Sequence, residues 1–159
     1  GAEDSLSQGG VLLDGSERAT VQYAKCCRPV PGDPIVGYLG RGEGLLVHHA
    51  QCEVARELQR KDSERFIAVD WADEPTRNFE VAVSVVVSNH KGVLARVAAE
   101  LASCEADIVH MDMDDAVGGT TELRFVVAVR NLDHVEAVLR NLRRLSMVIQ
   151  ADRVFQPRA

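Results

Sequence analysis

Residues 79–104, FEVAVSVVVSNHKGVLARVAAELASC, change from a two-residue to a helical repeat halfway along the segment. Apolar residues first occupy every second position from Val81 to Val87, which predicts a strand with one buried face. The polar stretch 89–92 interrupts that alternation. Apolar side chains then recur at 93, 94, 97, 101 and 104, which predicts an amphipathic helix. The segment therefore predicts a strand, a short loop and a helix.

Downstream residues repeat this pattern. Residues 107–114 alternate, with Val109, Met111 and Met113 expected on one face of a second strand. Alternation from Leu123 to Val129 predicts a third strand after the turn signal Gly118–Gly119. A helical stripe from Val135 to Leu145 predicts a second helix, and 147–155 a fourth strand.

Asp133 and Glu136 have the spacing of a capping box at the start of the second helix, and His134 is expected to be exposed in its first turn. The order βαββαβ predicts a ferredoxin-like domain, with both helices on one face of a four-stranded antiparallel sheet. Such domains often pair side by side, which covers an exposed sheet edge.

The N-terminal half predicts a smaller α+β unit. Its expected elements are two short strands at 11–15 and 18–24 around a turn at Asp14–Gly15, a hairpin of 35–40 with 44–49, an amphipathic helix at 52–61 with Val54, Ala55 and Leu58 on its apolar side, and a strand at 65–71. A unit of about 60 residues has a marginal core, so a bound metal would add stability.

The fold class is therefore α+β with two domains. We assign 1–10 to a tag and linker, 11–72 to the first domain, 73–78 to a linker that lacks apolar periodicity, and 79–156 to the second domain.

Charge and composition exclude several classes of protein. The formal net charge of −6 argues against a dominant nucleic-acid binder. No apolar run approaches the roughly 18–20 residues of a membrane helix, so no membrane partner is expected. The sequence opens without a secretion signal and has four cysteines, which favours a reducing, cytoplasmic compartment over a disulfide framework.

Three cysteines and a histidine have metal-ligand character. Cys26, Cys27, His48 and Cys52 form the pattern CC-x20-H-x3-C, with a second histidine at position 49. Three thiols and one imidazole complete a tetrahedral zinc set. Buried reduced thiols packed against a helix, and redox chemistry, are alternative interpretations. Adjacent cysteines in a strand point to opposite faces, so a shared ion requires a backbone kink at 26–27.

The stretch YAKCCRPVPGDPIVGYLGRGEGLLVHHAQC (23–52), followed by the βαββαβ pattern, resembles the C-terminal regulatory region of RelA/SpoT-family (p)ppGpp synthetases and hydrolases. The resemblance covers roughly 11–156 and looks nearer to the bifunctional SpoT-like or Rel-like branch. It implies a conserved-cysteine domain, also called zinc-finger or ribosome-intersubunit, with its matching residues at the four positions above. It also implies an ACT domain at 79–156 that forms homodimers.

ACT domains typically bind amino acids at the loop after their first strand. The resemblance therefore implies a ligand site at Asn89, His90, Gly92, Val93 and Leu94. The residue types are consistent with such a site. Gly92 permits a ligand to approach the backbone closely, and a helix is expected to begin there with free N–H groups. Two alternatives are that Gly92 only forms a βα turn and that the ACT domain is an interface.

The resemblance leads to two functional hypotheses. In the first, the chain is a non-catalytic regulatory module that senses an amino acid or partner and biases catalytic domains N-terminal to it in the same protein. In the second, it docks on the ribosome and its RNA through basic residues: Arg56, Arg60, Lys61, Arg65, Arg140, Arg143 and Arg144. No catalytic constellation is present, and the acidic group Asp112, Asp114 and Asp115 is expected to be a polar edge.

Overall fold

The computed structural model describes residues 11–13, 21–42, 44–73, 75, 77–114 and 118–155. The expected tag and linker at 1–10 and the expected turn at Asp14–Gly15 lie outside these residues. The chain divides into two compact units, residues 1–79 with 155–159, and residues 80–154. None of the described helices is both long and apolar enough to span a bilayer.

Within its described residues, the first unit has six short strands, one α-helix and one 3₁₀ turn. These are β1 (Val11–Leu13), β2 (Val21–Tyr23), β3 (Ile35–Gly40), β4 (Gly44–His49), α1 (Glu53–Lys61), the 3₁₀ turn Ser63–Arg65, β5 (Phe66–Ile67) and β6 (Val69–Trp71). A four-stranded sheet has the order β2-β4-β3-β5, and β1 pairs with β6 in a separate two-stranded sheet.

The predicted hairpin is confirmed, strands are present within the two segments expected at 11–15 and 18–24, and the strand expected at 65–71 needs correction. β3 and β4 pair antiparallel from Ile35 opposite His49 to Gly40 opposite Gly44. β1 and β2 do not pair with each other. β1 pairs in parallel with β6, and β2 in parallel with β4. The single strand expected at 65–71 is divided between two sheets, because β5 pairs with β3 and β6 with β1.

One buried core cluster of the first unit contains Leu13, Leu45, Val47 and Val69, all at most 9% exposed. Gly37 in β3 lies against this core without room for a side chain. A Cβ atom there would approach Cγ1 of Val69 to 2.8 Å and Cδ1 of Leu45 to 2.9 Å. In α1, Ala55 is buried as expected, whereas Val54 is 44% exposed and does not belong to the buried side.

The second unit has the predicted βαββαβ order. Its elements are β7 (Phe79–Ser88), α2 (Val93–Ser103), β8 (Asp107–Met113), β9 (Thr120–Val129), α3 (Leu132–Arg143) and β10 (Val148–Val154). The sheet order β10-β7-β9-β8 puts the first and third strands in the centre, as the ferredoxin-like fold requires. The alternating residues from Val81 to Val87 and from Leu123 to Val129 are at most 1% exposed, which confirms their predicted core face.

The start of α3 differs from the expected capping box. The N-cap is Asn131, whose side-chain oxygen accepts a hydrogen bond of 2.8 Å from the N–H of His134. Asp133 instead lies within the first turn. His134, expected to be exposed, is 5% exposed. Its Nδ1 accepts from the N–H of Arg130 at 3.0 Å, so its Nε2 donates to the carbonyl of Cys104 at 2.7 Å. The imidazole is therefore a structural link between α2 and α3.

The apolar side of β8 is more exposed than expected. Val109 is 51% and Met113 52% exposed, and the pairing register with β9 shifts between Ile108 and His110. β8 is the last strand on its side of the sheet, which explains this exposure.

Candidate metal centre and ligand-binding loop

Cys26, Cys27, His48 and Cys52 come together at one end of the first unit's four-stranded sheet. Their four ligand atoms all lie within 4.8 Å of one another. His48 is in β4, the two adjacent cysteines follow β2, and Cys52 is the N-cap residue of α1. Three separate elements thus contribute to one cluster.

The backbone makes the kink that adjacent cysteines require. β2 ends at Tyr23, and the N–H of Ala24 still bonds to the carbonyl of Val47 at 2.9 Å. The chain then turns, because the N–H of Arg28 bonds back to the carbonyl of Ala24 at 2.8 Å. Arg28 has a left-handed φ of 46°. Because Cys26 and Cys27 lie in this turn and not in a strand, both side chains reach the same point.

The distances match the edges of a tetrahedron. Around a tetrahedral zinc ion two sulfurs are ~3.8 Å apart, and a sulfur and a nitrogen ~3.6 Å apart. The Sγ of Cys26 lies 3.9 Å from that of Cys27 and 3.6 Å from that of Cys52. The Nδ1 of His48 is 3.4 Å from Sγ of Cys26 and 3.8 Å from Sγ of Cys27. Four of the six distances between ligand atoms therefore fit a zinc-sized ion, and the other two are at most 4.8 Å.

Burial sets the protonation states in the metal-free cluster. It raises the pKa of Cys26 to about 11, and the neighbouring Cys52 adds to this rise. Burial also raises the pKa of Cys27, although the backbone N–H of His49 acts in the opposite direction. The pKa of His48 is lowered by burial. The thiols of Cys26 and Cys27 are therefore protonated at neutral pH and the imidazole of His48 is neutral, whereas a bound divalent cation would stabilise the thiolate forms.

The orientation of His48 supports a role as a ligand. The side chain is 1% exposed, and its Nδ1 faces the sulfurs. Within the part of the chain that the structure describes, the buried Nε2 of His48 has no hydrogen-bond partner. A buried polar atom without a partner costs free energy. A metal bond at Nδ1 would fix the ring proton on Nε2, so ligation is supported by the direction of Nδ1 and not by the unpaired Nε2.

Two buried residues beside the cluster were not predicted from the sequence. Asp33 is 4% exposed and His49 is 5% exposed, and they face each other. The only sequence signals were the acid that ends CCRPVPGD and the second histidine of the His48–His49 pair. A charged residue that is buried normally has a specific partner, but the sequence did not show which residue that was.

The predicted ligand loop joins β7 to α2. Gly92 is the N-cap residue of α2 with a φ of 84°, and a Cβ atom there would meet no atom within 4 Å. Asn89, His90 and Gly92 are exposed, and Val93 and Leu94 are half-buried. Asn89 is already engaged, because its side-chain oxygen accepts a hydrogen bond from Thr121. The geometry therefore leaves the space beside Gly92 open, while the N–H of Val93 already donates to the carbonyl of His90 at 3.2 Å.

The acidic group of the second unit surrounds an arginine. Arg124 contacts Asp112, Asp114 and Glu122. Hydrogen bonds to Asp114 and Asp112 raise the pKa of the Arg124 guanidinium. These carboxylates are therefore already paired with a cationic side chain. Asp115 lies outside the described residues.

Several of the predicted RNA-binding residues have contacts within the protein. Arg60 and Lys61 pair with Glu57 on α1. Arg65 donates to the carbonyl of Leu39 at 2.7 Å. Arg143 donates to the carbonyl of Ala151 and pairs with Asp152 at 3.1 Å. Arg56, Arg140 and Arg144 are exposed, and Arg144 also donates to Oδ1 of Asn141 at 3.3 Å.

Comparison with known protein families identifies both units. The profile of the RelA/SpoT RIS domain matches residues 11–72, and that of the ACT domain matches residues 75–153. The candidate metal ligands lie in the first matched segment, and the loop around Gly92 lies in the second.

Curated relatives extend over both units. The bifunctional (p)ppGpp synthase/hydrolase SpoT of Escherichia coli is 31% identical over 92% of this chain and 21% of its own length. A GTP pyrophosphokinase of Streptomyces coelicolor is 32% identical over 94% of this chain and 18% of its own. The chain thus spans about a fifth of these relatives. The solution structure of an ACT domain from Chlorobium tepidum GTP pyrophosphokinase covers 52% of this chain and 92% of that one, with 16% identity and a TM-score of 0.45.

Proposed function

Because this chain belongs to the RelA/SpoT family, as its C-terminal regulatory region with a RIS and an ACT domain, we propose that it is a non-catalytic sensor that biases a (p)ppGpp synthetase/hydrolase. The observation that carries the proposal is the open space beside Gly92. This left-handed residue begins α2 and leaves space where a side chain would otherwise project.

The ligand in this proposal is a free amino acid. The first N–H groups of a helix have no intrahelical partners, and the helix dipole is positive at that end. Both features favour a carboxylate beside Gly92. The half-buried Val93 and Leu94 would then contact the ligand's apolar side chain. This favours a branched aliphatic amino acid over glycine.

Regulation would work through a conformational equilibrium of the parent protein. A ligand shifts such an equilibrium only by its different affinities for the two states. The same equilibrium would include a homodimer of ACT domains. Support for the dimer comes from β8, an edge strand with exposed Ile108, Val109 and Met113. Pairing two such edges would cover this apolar surface and satisfy unpaired backbone groups.

In the RIS domain we propose a structural zinc held by Cys26, Cys27, His48 and Cys52. Three sulfurs and a nitrogen are soft donors that suit zinc. Four protein ligands fill the tetrahedron, so the ion would link β4, α1 and the turn after β2 without an open position for chemistry. Such ions contribute directly to folding free energy, which matters for a small domain.

The alternative function is docking on the ribosome. Arg56, Arg140 and Arg144 are exposed and would be available to phosphates. The net charge of −6 opposes strong independent binding to RNA. Ribosome affinity that falls steeply with salt would favour this alternative. Salt-independent binding, or no binding, would contradict it.

The deciding experiment is calorimetric titration of the 159-residue chain with valine, leucine and isoleucine, with glycine and alanine as comparison ligands. We expect saturable heats for the branched amino acids only. A Gly92→Asn variant should abolish them, because asparagine tolerates the left-handed backbone while its side chain occupies the open space. Lys91→Asn, which adds the same side chain one position earlier, is the control. Flat heats from a folded sample would contradict the sensor.

A further inference from the structure

A buried carboxylate and imidazole lie directly behind the candidate metal ligands. Oδ1 of Asp33 is 3.7 Å from Nε2 of His49, and both side chains are at most 6% exposed. Neither is one of the four ligands. Burying a carboxylate costs free energy unless it is paired or hydrogen-bonded, so the pair needs a physical explanation.

The hydrogen bonds assign the proton on the ring. Nδ1 of His49 accepts a hydrogen bond of 3.0 Å from the backbone N–H of Gln51. The ring proton therefore lies on Nε2, the nitrogen that faces Asp33. The other oxygen of Asp33, Oδ2, accepts from the N–H of Val30 at 2.7 Å. The two side chains thus connect the loop after the cysteines to the segment between β4 and α1.

The main chain of His49 contacts two of the ligand-bearing segments. Its N–H donates to Sγ of Cys27 at 3.2 Å. Its carbonyl accepts from the N–H of Cys52 at 3.0 Å. The residue before it is the ligand His48. Any displacement of His49 would therefore move or release three of the four candidate ligands.

Asp33 is itself fixed on its own side of the cluster. Its N–H bonds to the carbonyl of Val30 at 3.0 Å, and its carbonyl accepts from Nε1 of Trp71 at 3.0 Å. The loop that follows Cys27 is therefore rigid at the point where the carboxylate meets the imidazole. A rigid carboxylate can set the position of a ring that faces it.

We propose that Asp33 and His49 are a positioning pair for the metal centre. They hold the main chain of His49 so that its N–H reaches the sulfur of Cys27 while His48 and Cys52 stay in ligating positions. Neither side chain touches the ion. This inference rests on the proposed zinc centre. Groups behind the ligands typically change metal affinity by about 10–100-fold when they are substituted.

The test compares Asp33→Asn and His49→Asn with the unchanged 159-residue chain. Asparagine at 33 keeps an acceptor for Val30 but presents an amide where the Nε2–H of His49 points. Asparagine at 49 places an acceptor near the N–H of Gln51 and removes Nε2. Asp70→Asn and His110→Asn are matched controls, because both residues are exposed and lie outside the cluster.

Two measurements are made on each variant. Zinc affinity is measured by competition with a chromophoric chelator, and the site is then loaded with Co²⁺ to record its thiolate charge-transfer absorption. We expect about 10–100-fold weaker zinc binding in both test variants and none of this loss in the controls. The cobalt band should weaken or shift, because the sulfur of Cys27 loses its N–H donor. A purely structural role would leave the cobalt spectrum unchanged.

The possible outcomes distinguish a failure of the positioning role from a failure of the proposed metal centre. Unchanged zinc affinity and cobalt spectra in both test variants would overturn the positioning role and leave the metal centre intact. An affinity loss explained entirely by a smaller folded fraction in chelator-treated samples would also overturn it. If the unchanged chain binds neither zinc nor cobalt, the proposed centre fails, and the positioning role fails with it.

Discussion

The Nδ1 of His48 lies 3.4 Å from the Sγ of Cys26, although 22 positions separate the two residues in the chain. The contact follows from sheet topology. β2 and β4 are parallel neighbours, with Tyr23 opposite Val47. The turn that leaves β2 and the end of β4 therefore lie at the same end of the sheet. The candidate metal centre is thus a consequence of one parallel strand pair.

Cys27→Ser should remove high-affinity zinc binding and lower the thermal midpoint of the zinc-supplied protein. The reason is that a serine hydroxyl is a poor substitute for a buried thiolate ligand. Cys104→Ser is the matched control, because Cys104 lies outside the cluster and accepts a hydrogen bond from Asn141 at 3.2 Å. Metal content by mass spectrometry under native conditions and thermal unfolding with and without chelator would check this. Equal zinc content in the two variants would contradict it.

Metal-free protein should lose stability as pH rises from about 9 to about 11. The pKa of Cys26 is raised by burial from 9.0 to about 11, so the folded state holds this proton more tightly than the unfolded chain does. Stability from the raised pKa is fully present below the unfolded value and is lost as pH rises through the folded value.

Urea unfolding of chelator-treated protein across this pH range measures the effect. Cys26→Ser, which has no thiol to titrate at this position, supplies the baseline for all other groups. The free energy of unfolding should fall more between about pH 9 and pH 11 in the unchanged chain than in Cys26→Ser. If the free energy of unfolding of the two proteins falls equally with pH, Cys26 does not contribute to the pH dependence.

Gly37→Ala should destabilise the first unit by about 1–3 kcal/mol. The added methyl group would lie 2.8 Å from Cγ1 of Val69 and 2.9 Å from Cδ1 of Leu45. Ala68→Gly is a useful comparison, because Ala68 is exposed between β5 and β6. Chemical denaturation followed by the fluorescence of Trp71 would report on this unit. An unchanged midpoint in Gly37→Ala would mean that the core has more space than the structure shows.

Asn131→Ala should cost about 1 kcal/mol, since it removes the acceptor for the N–H of His134 at the start of α3. Asp133→Ala should cost less, because Asp133 contributes only through the helix dipole. Chemical denaturation followed by circular dichroism would rank the two variants. A larger loss of unfolding free energy in Asp133→Ala than in Asn131→Ala would support the capping box expected from the sequence.

Val109→Lys should shift a homodimer of the chain towards monomer. The substitution adds a charge to the exposed edge strand β8, where a second copy would have to bury it. Ile149→Lys is the matched control, because Ile149 is 58% exposed on β10 at the opposite edge of the sheet. Sedimentation velocity at several concentrations measures the result. A monomeric unchanged chain, or an equal effect of both variants, would contradict dimerisation through β8.

Much of the second unit was predictable because its periodicities are local. Alternation from Val81 to Val87 and from Leu123 to Val129 gave the two central strands, since a sheet buried under helices needs an apolar residue at every second position. The cap of α3 was not predictable in the same way. Asn131 and Asp133 are both good cap residues, and only the backbone shows which one precedes the first turn.

The exposed apolar residues of β8 show a second limit. Val109 and Met113 alternate like core residues, and periodicity alone does not distinguish a face that packs internally from one that is exposed. The position of the strand in the sheet decides this, and that position depends on pairing with β9.

In the first unit, the sequence determined the chemical identity of the candidate ligands, because three thiols and an imidazole can be recognised by residue type and spacing. Only the tertiary structure decided that they meet. The pairing of β2 with β4 joins residues far apart in the chain, and the turn at Arg28 depends on its left-handed backbone. Neither can be read from local residue type or spacing. The same holds for Asp33 and His49, whose burial beside each other depends on how the loop after Cys27 folds back against the end of β4.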